Sequence, residues 1–328
     1  MTALAPRLER PAAAAADPPG PPDPPGPPDP PGPPNPPGLQ YPFRPARPAP
    51  QAEFSLSAAD FEQVRTLIHR RAGISLNAGK QAMVTSRLAR RLRDTGQRSF
   101  AGYLAWLQAH PGPDGQAEWQ AFVNCLTTNL TSFFREDHHF QALVHDLQDL
   151  QGRPARSGRA LRIWCCAAST GEEPYSVAMT AAETLGPQAA VQIIASDIDS
   201  HVLATAQAGV YAADARGLSA QRLQRHFLRG KGERQGLIRI KPERAKGVEF
   251  RPFNLMGRDW PATLGAPFDI IFCRNVMIYF DAATQRQVLV QMHRMLQPDG
   301  LLYVGHSENF TEHGDLFALR GKTIYRRV

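Results

Sequence analysis

Five short stretches of this 328-residue chain combine residue types that hold ligands. The first is Ala167-Ala168-Ser169-Thr170-Gly171-Glu172-Glu173-Pro174. Its small residues let a backbone approach a ligand closely, and Pro174 suits the first turn of a helix. It lacks the GxGxxG fingerprint of a dinucleotide pyrophosphate site. Glu172 and Glu173 at a helix N-terminus would repel phosphate, yet they suit the helix dipole and a cationic ligand. An ordinary strand-to-helix turn would read the same way. The second stretch, Ser196-Asp197-Ile198-Asp199, places two acids after an apolar run. A carboxylate there accepts both hydroxyls of a nucleoside ribose, and Asp199 can instead cap the helix that follows. In the third, Asn254 offers an amide to an adenine edge and Leu255 an apolar surface to the ring. The fourth, Arg274-Asn275 followed by Val276–Phe280, also closes an apolar run. A buried arginine needs a partner, either a ligand carboxylate or an internal salt bridge. The fifth is the polar and aromatic segment Thr127–Arg135, in which Arg135 suits an acidic substrate. Its alternative is a linker with a helix cap.

Other chemistries have less support. The four cysteines (Cys125, Cys165, Cys166, Cys273) form no CxxC pair, against a zinc module or a disulfide framework. Adjacent Cys165 and Cys166 read as core. His138, His139 and His306 stand without the Cys/His/Asp cluster of a metal centre, so no metal is expected.

The elements that must position these residues follow from periodicity. Phe61, Val64, Leu67 and Ile68 recur at helical spacing, with Ser57 and Asp60 as a capping box and Gly73 as a stop. A second helix near Lys80–Arg93 carries Arg87, Arg90 and Arg91 on neighbouring positions of one face. Two more follow, around Tyr103–Leu107 and Trp119–Leu126. From about residue 160, short apolar runs (Leu161–Ala168, Val191–Ala195, Val248–Phe250, Phe268–Cys273, Leu301–Val304) alternate with helical stretches. Such alternation predicts βαβ units and a doubly wound, mostly parallel α/β sheet. Phe317–Leu319 and Thr323–Tyr325 flank Gly321 as a terminal antiparallel hairpin. Residues 208–247, with Gly230, Gly232, Gly236 and the Leu237–Ile240 run, read as a small β-rich insertion. The expected organisation is a proline-rich tail (1–52), an all-α domain (53–126), a linker and helix (127–159) and an α/β domain (160–328).

Twenty of the 30 prolines lie in residues 1–50, largely as PPG/PPD/PPN triplets. Asp or Asn takes every second glycine slot, which excludes a collagen triple helix and leaves a stiff polyproline II spacer. The net charge is +7, and residues 60–110 hold nine Lys/Arg against three acids. That concentration predicts an acidic partner, or else a solvated basic helix face. No apolar run is long enough to span a bilayer, and the N-terminus lacks the apolar stretch of a signal peptide. A cytoplasmic protein is the expectation.

The segments TTNLTSFFRE (127–136), AASTGEEPYS (167–176), ASDID (195–199), IFCRNVMIYFD (271–281) and PDGLLYVGHSENF (298–310) together resemble the chemotaxis receptor glutamate methyltransferase family, CheR. The resemblance covers about residues 55–328 and leaves out the proline-rich tail. It implies an S-adenosylmethionine (SAM)-dependent methyltransferase domain behind a small helical domain. It further implies cofactor contacts from Asn129, Thr131, Arg135, Glu173, Asp197, Asn254, Leu255, Arg274 and Asn275. Arg135 and Tyr279 would flank the transferring methyl group. The acceptor would be a glutamate on a methyl-accepting chemotaxis receptor, whose acidic helices would meet Arg87, Arg90 and Arg91. The insertion resembles the family's β-subdomain, which in some members adds a receptor C-terminal peptide as a strand; Gly230, Gly232 and Gly236 match the glycine-containing loop of those members. A monomer that neither binds nucleic acid nor inserts into the membrane is expected. One rival, a nucleic-acid methyltransferase, lacks its DPPY or NPPY motif after the fourth strand. Another, a SAM-binding adaptor without turnover, would have no need of Tyr279.

Overall fold

The computed structural model describes residues 54–110, 112–153, 159–265 and 267–328; the proline-rich segment lies outside the described residues. Helix α1 (Ala58–Ala72) begins where the Ser57 hydroxyl accepts from Asp60 N and the Asp60 carboxylate accepts from Ser57 N in return. This reciprocal cap satisfies two amides that the first turn leaves open. Gly73, at φ 73°, ends the helix. Helices α2 (Gln81–Asp94), α3 (Phe100–Ala109) and α4 (Pro113–Leu126) follow. Their apolar stripes share one core that includes Val64, Ile68, Leu88, Leu104 and Phe122.

The arginines of α2 do not form the single outward face expected of them. Arg91 turns inward, and its Nη2 lies 2.5 Å from Oε2 of the buried Glu118 on α4. The Tyr103 hydroxyl of α3 donates to the same carboxylate at 2.7 Å. Arg87 donates to the Thr127 carbonyl at 2.6 Å, and only Arg90 of the three stays outside, 79% exposed. The cause is rotational. Positions four apart share a face, so Arg87 and Arg91 flank the buried Val84–Leu88–Leu92 stripe while Arg90 points away from it. Arg91→Ala will therefore strand a buried carboxylate and lower stability by about 3 kcal/mol, whereas Arg90→Ala will change it by less than about 0.5 kcal/mol. Urea unfolding of the two variants checks this contrast.

After α5 (Asp137–Gln151) the chain alternates between strands and helices. The order is β1 (Leu161–Cys165), α6 (Glu172–Leu185), β2 (Val191–Asp197) and α7 (Ser200–Ala208). An insertion then carries β3 (Val210–Ala212), α8 (Ala220–His226), β4 (Phe227–Arg229) and β5 (Leu237–Ile240). Next come α9 (Pro242–Ala245), β6 (Val248–Pro252), α10 (Trp260–Leu264), β7 (Phe268–Cys273) and α11 (Ala282–Met295). The chain ends with β8 (Leu296–Val304), β9 (Phe317–Gly321) and β10 (Ile324–Arg327).

Among the described residues the main sheet has seven strands in the order β6-β2-β1-β7-β8-β10-β9. It is parallel from β6 to β8 and closes with the predicted antiparallel hairpin. Separate apolar clusters cover its two faces, as a doubly wound sheet requires. The first predicted strand is shorter than its apolar run, stopping at Cys165, and β8 starts at Leu296, ahead of the expected Leu301. The insertion builds its own antiparallel sheet, β3-β5-β4, with the glycine-bearing loop between β4 and β5. No described helix is long and apolar enough to cross a membrane.

This order places the site. From β1 the chain winds outward through β2 to β6, then returns to the other side of β1 with β7 and β8. The direction reverses between β1 and β7, and ligands bind beyond the carboxyl ends of strands at such a reversal.

Candidate active site

A cavity of about 370 Å³ opens at that reversal. The carboxyl ends of β1, β2, β6 and β7 form its floor, and the 127–135 segment, α2 and the loop after α1 form its walls. Asn129, Thr131, Arg135, Glu173 and Asp197 all line it, as do Asn254, Leu255, Arg274, Asn275 and Tyr279. The topology thus gathers at one place ten residues singled out from segments spread over 150 positions. Arg87 also lines the cavity, whereas Arg90 and Arg91 do not.

The β1 end supplies the close approach. Ser169 sits at φ 48°, and its amide donates to the Asp197 carboxylate at 2.8 Å. The other Asp197 oxygen accepts from Asp199 N at 2.9 Å. A carboxylate has about four lone-pair directions, so Asp197 keeps capacity to accept from a ligand hydroxyl. Burial pushes the Asp197 carboxyl up to about 6, against the backbone donors of Asp199, Ser169 and Ile198. Asp199 takes the other role that was open to it. One of its oxygens caps α7 through His201 N and Val202 N. The other accepts from Asn129 Nδ2 at 2.8 Å and Thr127 Oγ1 at 2.9 Å. Asp199 thereby pins the 127–129 strap beside the cavity.

Arg274 resolves to an internal salt bridge. Its Nη1 lies 2.7 Å from Glu173 Oε2, and its Nη2 lies 3.3 Å from Glu136 Oε2. Nη2 also donates to the Arg135 carbonyl. One guanidinium between two carboxylates leaves a formal charge of −1 beside the cavity, which favours a cationic ligand. Burial raises the Glu173 pKa although Arg274 opposes the rise. Glu136 behaves differently: burial would raise it, but the His306 hydrogen bond and Arg274 hold it down at about 2. Glu136 also brings His138 and His139 within 4.8 Å of its carboxylate, a grouping that escaped the sequence reading. The guanidinium already beside Glu136 opposes a metal cation there.

The remaining placements are specific. Asn254 donates through Nδ2 to the Arg71 carbonyl at 2.7 Å, which keeps one of its two N–H groups for a ligand. Arg135 donates to the Leu130 carbonyl at 2.7 Å. Tyr279 is half-buried, and its carbonyl accepts from Ser75 N at 2.7 Å, which ties this wall to the loop after α1. Gly230, Gly232 and Gly236 lie in the β4–β5 loop and do not line the cavity. At Gly230 a side chain has no room, since a Cβ would fall 1.9 Å from the Arg234 carbonyl oxygen. Burial raises the thiols of Cys166 and Cys273, so both stay protonated.

The donor set fits a SAM-shaped ligand: a doubly accepting carboxylate for a ribose, Leu255 for a ring, and a net acidic cluster for a sulfonium and an ammonium. Residues 129–326 match the CheR methyltransferase, SAM binding domain, and residues 59–127 match the CheR methyltransferase, all-alpha domain. The chain belongs to the CheR methyltransferase family.

CheR relatives agree over the same span. The chain is 50% identical over 272 residues to a chemotaxis protein methyltransferase of Klebsiella aerogenes, covering 82% of this chain and 90% of that one. It is 48% identical over 273 residues to the Escherichia coli K12 chemotaxis protein methyltransferase (83% and 91% covered). It is 48% identical over 275 residues to chemotaxis protein methyltransferase 2 of Pseudomonas aeruginosa (83% and 94% covered). This CheR chain is a SAM-dependent methyltransferase with a seven-stranded sheet behind an all-α N-terminal part.

Two groups that brace the site from behind were missed by residue type and spacing. Glu136 directly follows Arg135, and Glu308 lies inside the VGHSENF stretch. Glu136 takes Arg274 and His306, remote in sequence, and Glu308 takes backbone amides, which no residue type announces.

Proposed function

We propose that this CheR protein transfers the methyl group of SAM to glutamate side-chain carboxylates of methyl-accepting chemotaxis receptors, forming methyl esters. The observation that carries this is the union in one cavity of Asp197, Glu173, Arg274, Arg135 and Tyr279, with Glu136 paired to Arg274 behind it. Bound SAM supplies a methyl group made electrophilic by its sulfonium. Asp197 would hold the ribose, Asn254 and Leu255 the adenine, and the acidic cluster the cationic end. Asn129, Thr131 and Asn275 would close around the cofactor. A free glutamate has a pKa of about 4.3, so the acceptor arrives ionised and needs no base. Arg135 and Tyr279 would then orient that carboxylate in line with the methyl group. The 127–135 strap would exclude water, so catalysis is mainly positioning.

The receptor would approach over α2. Arg90 lies outermost, and Arg87 stands at the cavity wall, where it would meet the acceptor carboxylate rather than the receptor surface. Arg91 is absorbed by Glu118 and drops out of that role. The β3-β5-β4 sheet would bind a receptor C-terminal peptide by strand addition along β3 or β4. Its exposed Val210, Leu228 and Leu237 would take the peptide's side chains. Such a protein would work as a cytoplasmic monomer, without membrane insertion or nucleic acid.

The test incubates purified protein with methyl-labelled SAM and receptor-containing membranes, then adds mild base. Label on receptor protein that base releases as methanol is the expected result. Base-stable label, or label on nucleic acid, would overturn the assignment. Transfer should also fall with salt, because the Debye length is only about 8 Å at 0.15 M. A receptor without its C-terminal tail that is methylated equally fast would remove the tether.

A further inference from the structure

The loop that follows β7 carries Arg274, Asn275, Val276 and Tyr279 to the cavity, and its first residues lie outside strand and helix, ahead of the single turn Met277–Tyr279. Its amides converge on a single side chain from outside the loop. Glu308 is 3% exposed. Its Oε1 accepts from Val276 N at 3.0 Å and from Met277 N at 2.8 Å. Its Oε2 accepts from Asn275 N at 2.9 Å and from Gly305 N at 2.6 Å. Four backbone donors thus close on one carboxylate, as in an anion-binding nest. Glu308 itself does not line the cavity.

Two further features point to the same purpose. Asn275 is held at φ 58°, a left-handed conformation that asparagine tolerates better than most side chains and that the Glu308 contact to its amide fixes here. Gly305 leaves the room that this conformation needs, since a Cβ there would lie 2.4 Å from Asn275 Nδ2 and 2.9 Å from Asn275 N. On the opposite side, Gln285 Nε2 of α11 donates to the Met277 and Phe280 carbonyls. The loop is therefore gripped by its amides from Glu308 and by its carbonyls from Gln285.

We propose that Glu308 is a positioning residue for methyl transfer, fixing the backbone of residues 275–277 so that Asn275 meets the cofactor and Tyr279 meets the acceptor. This rests on the assignment of the cavity to SAM and the acceptor, but the cofactor half is testable without any acceptor. In Glu308→Gln the amide nitrogen must face two N–H donors, because both carboxylate oxygens accept. The loop loses its grip there while size and burial are kept. SAM affinity should fall at least tenfold, and turnover at saturating SAM should fall as well.

The test measures SAM binding by calorimetry and turnover on receptor membranes for wild type, Glu308→Gln, Glu308→Ala and Gly305→Ala. Added formate should fill the vacated nest in Glu308→Ala and restore SAM affinity, but it should do nothing for Gly305→Ala, whose defect is steric. Rescue by formate supports positioning, since a merely destabilised fold would not respond to that one anion. Glu308→Gln with SAM affinity and turnover within twofold of wild type overturns it, as does Glu308→Ala that folds and stays unresponsive to formate. If Glu308→Ala fails to fold, Glu308→Gln and Gly305→Ala decide by their SAM affinities. Wild type that binds SAM but methylates no receptor would defeat the substrate assignment and leave the binding comparison intact.

Discussion

Arg274→Met will be the most damaging single substitution in the site, and acid will partly repair it. The wild-type guanidinium separates Glu173 from Glu136, and both carboxylates are largely removed from water. Without it, two negative charges share a buried site and lose the guanidinium that holds both carboxylates in place. Breaking a buried ion pair from one side costs about 3–5 kcal/mol. In the variant, burial and repulsion by Glu136 raise the folded-state pKa of Glu173 further above the unfolded carboxylate value of about 4.3. An acid with a raised folded pKa binds its proton more tightly in the native state, so the variant's stability falls as pH rises through that window. Wild type behaves oppositely at Glu136, whose folded value of about 2 lies below the unfolded one. It contributes stability above the unfolded pKa and loses it only as pH drops toward 2. The deficit of Arg274→Met will therefore be larger at pH 8 than at pH 5, as urea unfolding at the two values will show. An equal deficit at both would mean that Arg274 acts by packing against Phe140, where its guanidinium lies 5.9 Å from the ring centroid.

The same residue shows how far sequence carries. A strand-end arginine announces that it needs a partner, and the α/β alternation announces where that end lies, because both depend on neighbours in the chain. Ser57 with Asp60, the Gly73 stop and the Phe317–Tyr325 hairpin are local in this sense, and the structure keeps all of them. Which of two partners Arg274 takes is not local, since Glu173 is 101 positions away and Glu136 still further. The fate of Arg91 depended likewise on Glu118, 27 positions away, and charge density on α2 gave no sign of it. Glu308 was invisible for a related reason: its partners are backbone amides, which carry no residue type to recognise. The gathering of these residues at one cavity was legible because the strand ends are written as short motifs. The bracing behind it was not.

Asp197 joins the two levels, and its titration should be readable in cofactor binding. The carboxyl is pushed up to about 6 by burial, opposed by the amides of Asp199 and Ser169. In the unliganded protein, stability should therefore decline as pH rises from about 4 to about 6, by roughly 3 kcal/mol at 1.36 kcal/mol per pKa unit. SAM works in the other direction. Ribose hydroxyls donate, so they prefer the ionised carboxylate, and binding should expel the proton. Affinity should rise about tenfold per pH unit below 6 and level off above it. Asp197→Asn should flatten that profile and weaken SAM by about 100-fold, or about 2.7 kcal/mol. Neither orientation of the amide can help, because each carboxylate oxygen already accepts a backbone N–H, so the new NH₂ must face a donor. Calorimetric titration of SAM between pH 5 and 8 into both proteins provides the measurement. Should the asparagine variant keep affinity within threefold of wild type, or keep the pH slope, the ribose would be held elsewhere and another group in the cavity would own the proton.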